Sequence, residues 1–216
     1  LHLGIGVGLE GNGAILDAGS ETDAALLLAG SNAVQNLFVH GRAGSDVGIR
    51  VLRGPVRLAR VHVRGFRRYG VRAGNGDGIF SDGSVQDCGE DGLSAAGGRW
   101  TIRSSRFAKN GDDGIDLFRA NSSIIASCVF DENGDAAVEL SISPGVQLIG
   151  NASRGHRVTC AARLGDLPAR FGKNSLGDRA FLERRGDAPV TDWNEFVRRT
   201  DNSNARLPSE FADTLS

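Results

Sequence analysis

The chain has no methionine, one tyrosine, two tryptophans and five prolines among 216 residues. Aromatic residues make up only 6% of it, which excludes a core built around large rings. Apolar surface must instead be buried by many small aliphatic side chains, a composition that suits stacked short strands better than packed helices. Three cysteines, Cys88, Cys128 and Cys160, are odd in number and match no metal-ligand spacing, so neither a disulfide framework nor a thiolate zinc site is indicated. No apolar run approaches the ~20 residues of a membrane-spanning helix, and no signal peptide is visible. Because methionine is missing even at position 1, the chain is expected to be a processed or excised piece. Neither charge dominates, with 25 basic and 26 acidic residues, which argues against a surface built throughout for nucleic acid.

Glycine, by contrast, is abundant. Its 31 residues lack collagen's every-third spacing and imply many tight turns. Their placement is periodic: Gly48, Gly70, Gly92 and Gly114 fall at intervals of 22, and Ala136 continues the series. The residue after each is apolar: Ile49, Val71, Leu93, Ile115 and Ala137. Two further apolar columns run in phase, one through Leu58, Phe80, Ile102, Ile124 and Val146, the other through Val63, Val85, Phe107 and Val129. Within "GIRVL" and "GIDLF" apolar and polar residues alternate, which is the period of a strand. A 22-residue unit of short strands and glycine-marked bends describes one turn of a parallel β-helix, whose coils stack ~4.8 Å apart around a shared interior. The predicted fold is therefore all-β: a solenoid of about six coils over residues 1–157, the coil at 136–157 slipped by one position. Residues 158–216 are expected to form a mostly irregular tail packed on the solenoid, not an independent domain, with a short helix around "TDWNEFVRRT".

The motifs "EDGLSA", "DDGIDLF" and "FDENGDAAVEL", together with "GNGAILDAG" in the opening coil, resemble the right-handed parallel β-helix superfamily of pectate lyases, polygalacturonases, alginate lyases and mannuronan epimerases. The resemblance covers residues 10–155. It implies a carbohydrate-active protein, a polysaccharide partner and a secreted or periplasmic location. It does not choose among activities, since these motifs recur in catalytic and non-catalytic members alike.

Stacking converts sequence period into spatial adjacency. The third position of each strand points out of the coil, so Arg50, Arg72, Ser94 and Asp116 are predicted to form one exposed row, with Glu139 joining from the slipped coil. The position before each glycine stacks Tyr69, Asp91, Asp113 and Asp135 at the bend. Charge is segregated too: residues 42–72 hold nine arginines against Asp46 alone, whereas residues 75–139 hold twelve acids against five bases. Stacked carboxylates repel unless protonated or bridged by a cation, and a hard cation takes several oxygen ligands. Asp91, Asp113, Asp116 and Asp135 are thus candidate calcium ligands. Arg50 and Arg72, with Asp116, are candidate groups for binding an acidic sugar chain. The alternative is that these aspartates are bend residues whose side chains bond nearby backbone, and that the arginines are a solvated face.

Three readings follow. A lyase or epimerase removes the proton beside a sugar carboxylate, a step made easier when that carboxylate is neutralised by Ca²⁺ or arginine. The resemblance implies an arginine or lysine base, but arginine is intrinsically a poor one. Tyr69 is therefore a candidate, its phenolate favoured by Arg68 and Arg72, which makes Tyr69, Arg72 and Asp113 the candidate catalytic set. A polygalacturonase-like hydrolase would instead use Asp91 with Asp112 and Asp113 as acid and base, although that family's glycine-histidine-glycine and arginine-isoleucine-lysine motifs have no counterpart. The third reading is a non-catalytic carbohydrate-binding or surface module. His40 and His62, one step out of register, are read as structural.

Overall fold

The alternation in "GIRVL" and its repeats folds into strands that pair only with the equivalent strands of the coils above and below. In the computed structural model, which describes residues 1–19, 22–42, 44–156, 158–162, 170–172, 174–176 and 182–184, one strand of each coil enters a nine-stranded parallel sheet, the first face. It runs through His2–Leu3, Ala24–Leu28, Val47–Val51, Tyr69–Ala73, Leu93–Ala96, Ile115–Phe118, Ala136–Ser141, Val158–Ala162 and Leu182–Arg184. The remainder of each coil enters a thirteen-stranded sheet. Early coils cross it as single long strands, Asn32–His40 and Val56–Arg64. Later coils break in two, as in Gly78–Ser81 and Ser84–Gln86, both of which pair with Val56–Arg64. The product is an all-β parallel β-helix of roughly seven turns, against about six expected.

The bend dividing this second sheet into second and third faces has a backbone cause. Asn36, Arg60, Asp82, Ser104 and Ser127 stack at that corner, all with φ between 49° and 58°. Left-handed conformation is uncommon outside glycine, and a column of it turns every coil at the same place. Arg60 carries no turn propensity, so the corner is invisible in its sequence.

The interior is a set of vertical columns. Leu26, Ile49, Val71, Leu93, Ile115 and Val138 succeed one another in register beneath the first face, all buried. Beneath the other faces Phe107 packs between Phe80 and Phe130, with ring centroids 5.7 and 5.6 Å away. Polar interior positions are bonded coil to coil. Asn110 donates from Nδ2 to Asn133 Oδ1 at 2.9 Å, and the Asn133 backbone N–H donates to His156 Nδ1 at 3.0 Å. Such ladders satisfy side chains that are otherwise costly to bury.

The register departs from a uniform 22 in an informative way. Phe118 still lies opposite Ala96, 22 residues back, but Ile124 lies opposite Thr101, 23 back. The extra residue sits in the turn 119–123, and the step of 23 then persists through residue 154 before returning to 22 where Val158 lies opposite Ala136. Three expected columns are corrected in consequence. Ile125 and Leu148, not Ile124 and Val146, continue the Leu58 column. Phe130 rather than Val129 continues the Phe107 column, leaving Val129 exposed. Ala137, not Ala136, succeeds Gly114, so the slip expected at 136–157 is real but begins in the preceding turn. Nor does stacking end near residue 158. Val158–Ala162 pairs with Ala136–Ser141, and Leu182–Arg184 pairs with Val158–Ala162 in turn. The helix expected around residues 191–200 lies outside the described residues.

Candidate functional site

The first face carries the predicted row. Arg50 lies opposite Arg72, Arg72 opposite Ser94, Ser94 opposite Asp116, and Asp116 opposite Glu139. All five are half-buried, so they line the outer surface while their inward neighbours fill the core. Each step is one coil, ~4.8 Å. The row is basic at one end and acidic at the other.

At the basic end the guanidinium of Arg72 lies 4.2 Å from the Tyr69 ring centroid, and that of Arg68 lies 5.0 Å away. Arg68 Nε also donates to Glu90 Oε1 at 2.7 Å, and its Nη2 donates to Tyr69 Oη at 3.3 Å. Burial and a hydrogen bond from the phenol to Glu90 raise the Tyr69 pKa, outweighing the opposing field of Arg72. The expectation that neighbouring cations would favour the phenolate is therefore corrected: Tyr69 holds its proton. Arg50 is also committed, its Nη2 lying 2.6 Å from Asp23 Oδ1.

At the acidic end the one-residue insertion rearranges the predicted column. Asp113 lies above Asp91 and below Ala136, whereas Asp135 stacks on Asp112 and Glu90, as the backbone bonds Asp135 N–H to Asp112 O and Asp112 N–H to Glu90 O show. Asp91, Asp113 and Asp135 are thus not one column. Even so, they belong to two clusters that share Asp113. One carboxylate oxygen from each of Asp91, Asp112 and Asp113 lies within 4.8 Å of the others, and the same holds for Asp113, Asp135 and Glu139. Asp116 flanks these groups and accepts a hydrogen bond from Ser94 Oγ at 3.3 Å.

Asp91 and Asp113 are 7% and 3% exposed, which places both beneath the surface. Asp91 Oδ1 accepts the backbone N–H of Asp113 at 3.3 Å, and Asp113 Oδ1 accepts that of Ala136 at 2.8 Å. Each aspartate therefore bonds the bend of the next coil, the role that bend chemistry assigns it. Burial, with Asp116, Asp112 and Glu90 nearby, pushes the Asp91 carboxyl up to about 7. Burial, reinforced by Asp91, Glu139 and Asp112, raises Asp113 well above the ordinary aspartate range, and Glu139 is raised for the same reason. These groups prefer to hold protons, and a cation would replace those protons. The donors are all carboxylate oxygens, the set that a hard divalent ion takes.

Glu90 is a partner that the sequence reading left outside the site. Its pairing with Arg68 was recoverable from spacing, since the two lie 22 apart at adjacent bends. His62 lies opposite Phe38, and His40 opposite Arg64, so the histidines are two positions out of step rather than one.

Such stacked coils, with a solvent-facing row of charged side chains along one sheet, define a parallel β-helix of the kind on which carbohydrate-active proteins of the pectate-lyase-like superfamily are built. The family model described as "Right handed beta helix region" matches residues 27–160, and the chain belongs to that family. No curated protein and no solved structure gives a significant match. No helix among the described residues is long and apolar enough to cross a membrane.

Proposed function

We propose that the first face binds an acidic, uronic-acid polysaccharide along the row from Arg50 to Glu139 and acts on it as a lyase or epimerase. The observation that carries this reading is the unbroken register of Arg50, Arg72, Ser94, Asp116 and Glu139. A polymer laid along the coils would meet a new side chain about every 4.8 Å. Arg72, half-exposed and lying against Tyr69, would neutralise the carboxylate of the reacting sugar, which lowers the cost of removing the adjacent proton. A divalent cation, calcium being the natural test, would be held by Asp113, Asp135 and Glu139 with Asp116 alongside. There it would anchor a second sugar carboxylate two to three coils away.

Elimination takes a proton from the carbon beside the carboxylate, forms a carbon–carbon double bond and expels the glycosidic oxygen, which then gains a proton. A protonated Tyr69 fits the last of these tasks rather than the first. Asp91, stacked on Tyr69 one coil along, would accept the proton in its ionised form, which a carboxyl raised to about 7 supplies in about half of the molecules at neutral pH. In an epimerase the proton would return to the opposite face of the same carbon. Asp113, buried more deeply, would act by supporting Asp91 and the cation rather than by touching the sugar.

The test is to incubate the protein with polygalacturonate, alginate and glucuronan, with and without Ca²⁺, following unsaturated-product absorbance, reducing ends and solvent deuterium incorporation. Absorbance rising with reducing ends identifies a lyase, and deuterium uptake without cleavage an epimerase. Reducing ends without absorbance would replace this reading by a hydrolase. Binding with no turnover on any polymer would leave a non-catalytic module.

A further inference from the structure

The third face carries a second patch, in the other sheet from the arginine row and separate from the acidic clusters. Its outward positions form two neighbouring rows. In one, Ile15 lies opposite Phe38, Phe38 opposite His62 and His62 opposite Ser84. In the other, His40 lies opposite Arg64 and Arg64 opposite Gln86. Together these side chains line a depression of about 370 Å³, within the ~300–1,000 Å³ typical of small-ligand sites.

The chemistry of the patch is graded. At one end Ile15 and Phe38 are 60% and 38% exposed, an apolar surface that continues into the imidazole of His62, stacked on Phe38 at 4.9 Å. At the other end stand hydrogen-bonding groups. His62 Nδ1 and Ser84 Oγ are 3.0 Å apart, which fixes the imidazole and leaves its Nε2 directed away from that bond. The Arg64 guanidinium and the Gln86 amide make no side-chain hydrogen bond or ion pair among the described residues, whereas the nearby Arg42 is taken up by Asp17 at 3.3 Å. An uncommitted guanidinium next to a hydroxyl, an amide and an imidazole, beside an apolar shelf, matches a ligand with a carboxylate, several hydroxyls and one apolar ring face.

From this we infer that the third face is a separate binding subsite for a uronic-acid unit, its carboxylate on Arg64 and Gln86 and its ring against Phe38 and Ile15. The ligand class comes from the reading of the first face, but the geometry does not depend on it. On a long polymer, two such sites on one rod would raise the effective concentration of chain at the first face.

The experiment records long-range ¹H–¹⁵N spectra of the imidazoles during titration of the full chain with hexagalacturonate or with the neutral maltohexaose. There are only four histidines, at 2, 40, 62 and 156, so assignment is direct. His40 and His62 should shift with hexagalacturonate and not with maltohexaose, both in the unaltered protein and in Arg72→Ala. Arg64→Ala combined with Gln86→Ala should weaken that response at least tenfold; both side chains point outward, and circular dichroism checks that the fold is kept. If His40 and His62 stay still while binding sensitive to Arg72→Ala persists, the subsite is overturned and the first face stands. Equal shifts with maltohexaose overturn the acidic-sugar assignment. Shifts that survive in a protein with no Arg72-dependent binding support the subsite and remove the first-face reading, and absence of all binding removes both.

Discussion

The Arg72 guanidinium packs against the Tyr69 ring at 4.2 Å, and the phenol hydrogen-bonds Glu90. Burial first, and that hydrogen bond second, keep the phenol protonated against the field of Arg72, so Tyr69 is available as a proton donor at neutral pH. Tyr69→Phe keeps the ring, and with it the stacking of Arg72, while removing the proton. Turnover on the preferred polyuronate should fall about 100-fold or more with little change in KM. Arg72→Ala should raise KM as well. Steady-state kinetics of the two variants separate these effects, and an unaltered kcat in Tyr69→Phe would remove the phenol from the chemistry.

The buried carboxylates predict an unusual pH dependence. Asp91, at about 7, and Asp113 keep their protons in the folded chain at pH values where the unfolded chain has lost them. Unfolded aspartates titrate near ~4, so between there and about 7 the unfolded state binds fewer protons and stability falls as pH rises. Without divalent ions the melting temperature should therefore decline over that window. Calcium should reverse the decline and release protons on binding. Differential scanning calorimetry with and without Ca²⁺, plus calorimetric titration in buffers of different ionisation enthalpy, measures both. A melting curve indifferent to Ca²⁺ at pH 8, in the protein and in Asp113→Asn alike, would exclude a cation at this cluster.

Asp131 shows the opposite sign. Arg154 and Arg106 both reach its carboxylate, at 2.7 and 2.6 Å, and hold its pKa down to about 2. Its contribution is complete above the unfolded value of ~4 and disappears as pH falls through about 2. Both arginines are substantially exposed, so solvent screening limits the gain to about 1 kcal/mol. Asp131→Asn should lower stability by that amount at pH 7, measured by urea denaturation, and the difference should vanish near pH 2.

In the interior, Phe107 is fully buried between Phe80 and Phe130. Phe107→Ala should cost about 3–5 kcal/mol through lost burial and an unfilled cavity. Val129→Ala, at the position that simple 22-residue counting would place in the same column, should cost less than about 1 kcal/mol because Val129 is exposed. Parallel denaturant titrations compare the two, and equal losses would refute the shifted register.

How much of this was legible beforehand differs from residue to residue. The row from Arg50 to Glu139 was readable because alternation tells which side chains face out, and the register is 22 through Asp116 with one slip before Glu139. Counting by 22 misplaces Asp135 because the extra residue lies in the turn 119–123, where strand alternation is interrupted. Glu90 lies at a bend, where alternation no longer indicates direction, so its contacts with Arg68 and Tyr69 are decided by the fold. Adjacent cations are visible in a sequence and depth of burial is not, which is why the protonation of Tyr69 runs against the expectation from its neighbours.

Sequence alone determined that this chain coils in parallel strands, since a repeating pattern of inward aliphatic and outward polar residues has only that way to bury one side of every strand. Tertiary structure decided which charges meet. Extra residues in the turns, one of them within 119–123, decide which carboxylates stack on which, and the proton affinity of a carboxylate depends on the water excluded around it, a quantity set by neighbours about 22 residues away in the chain rather than by the residue itself.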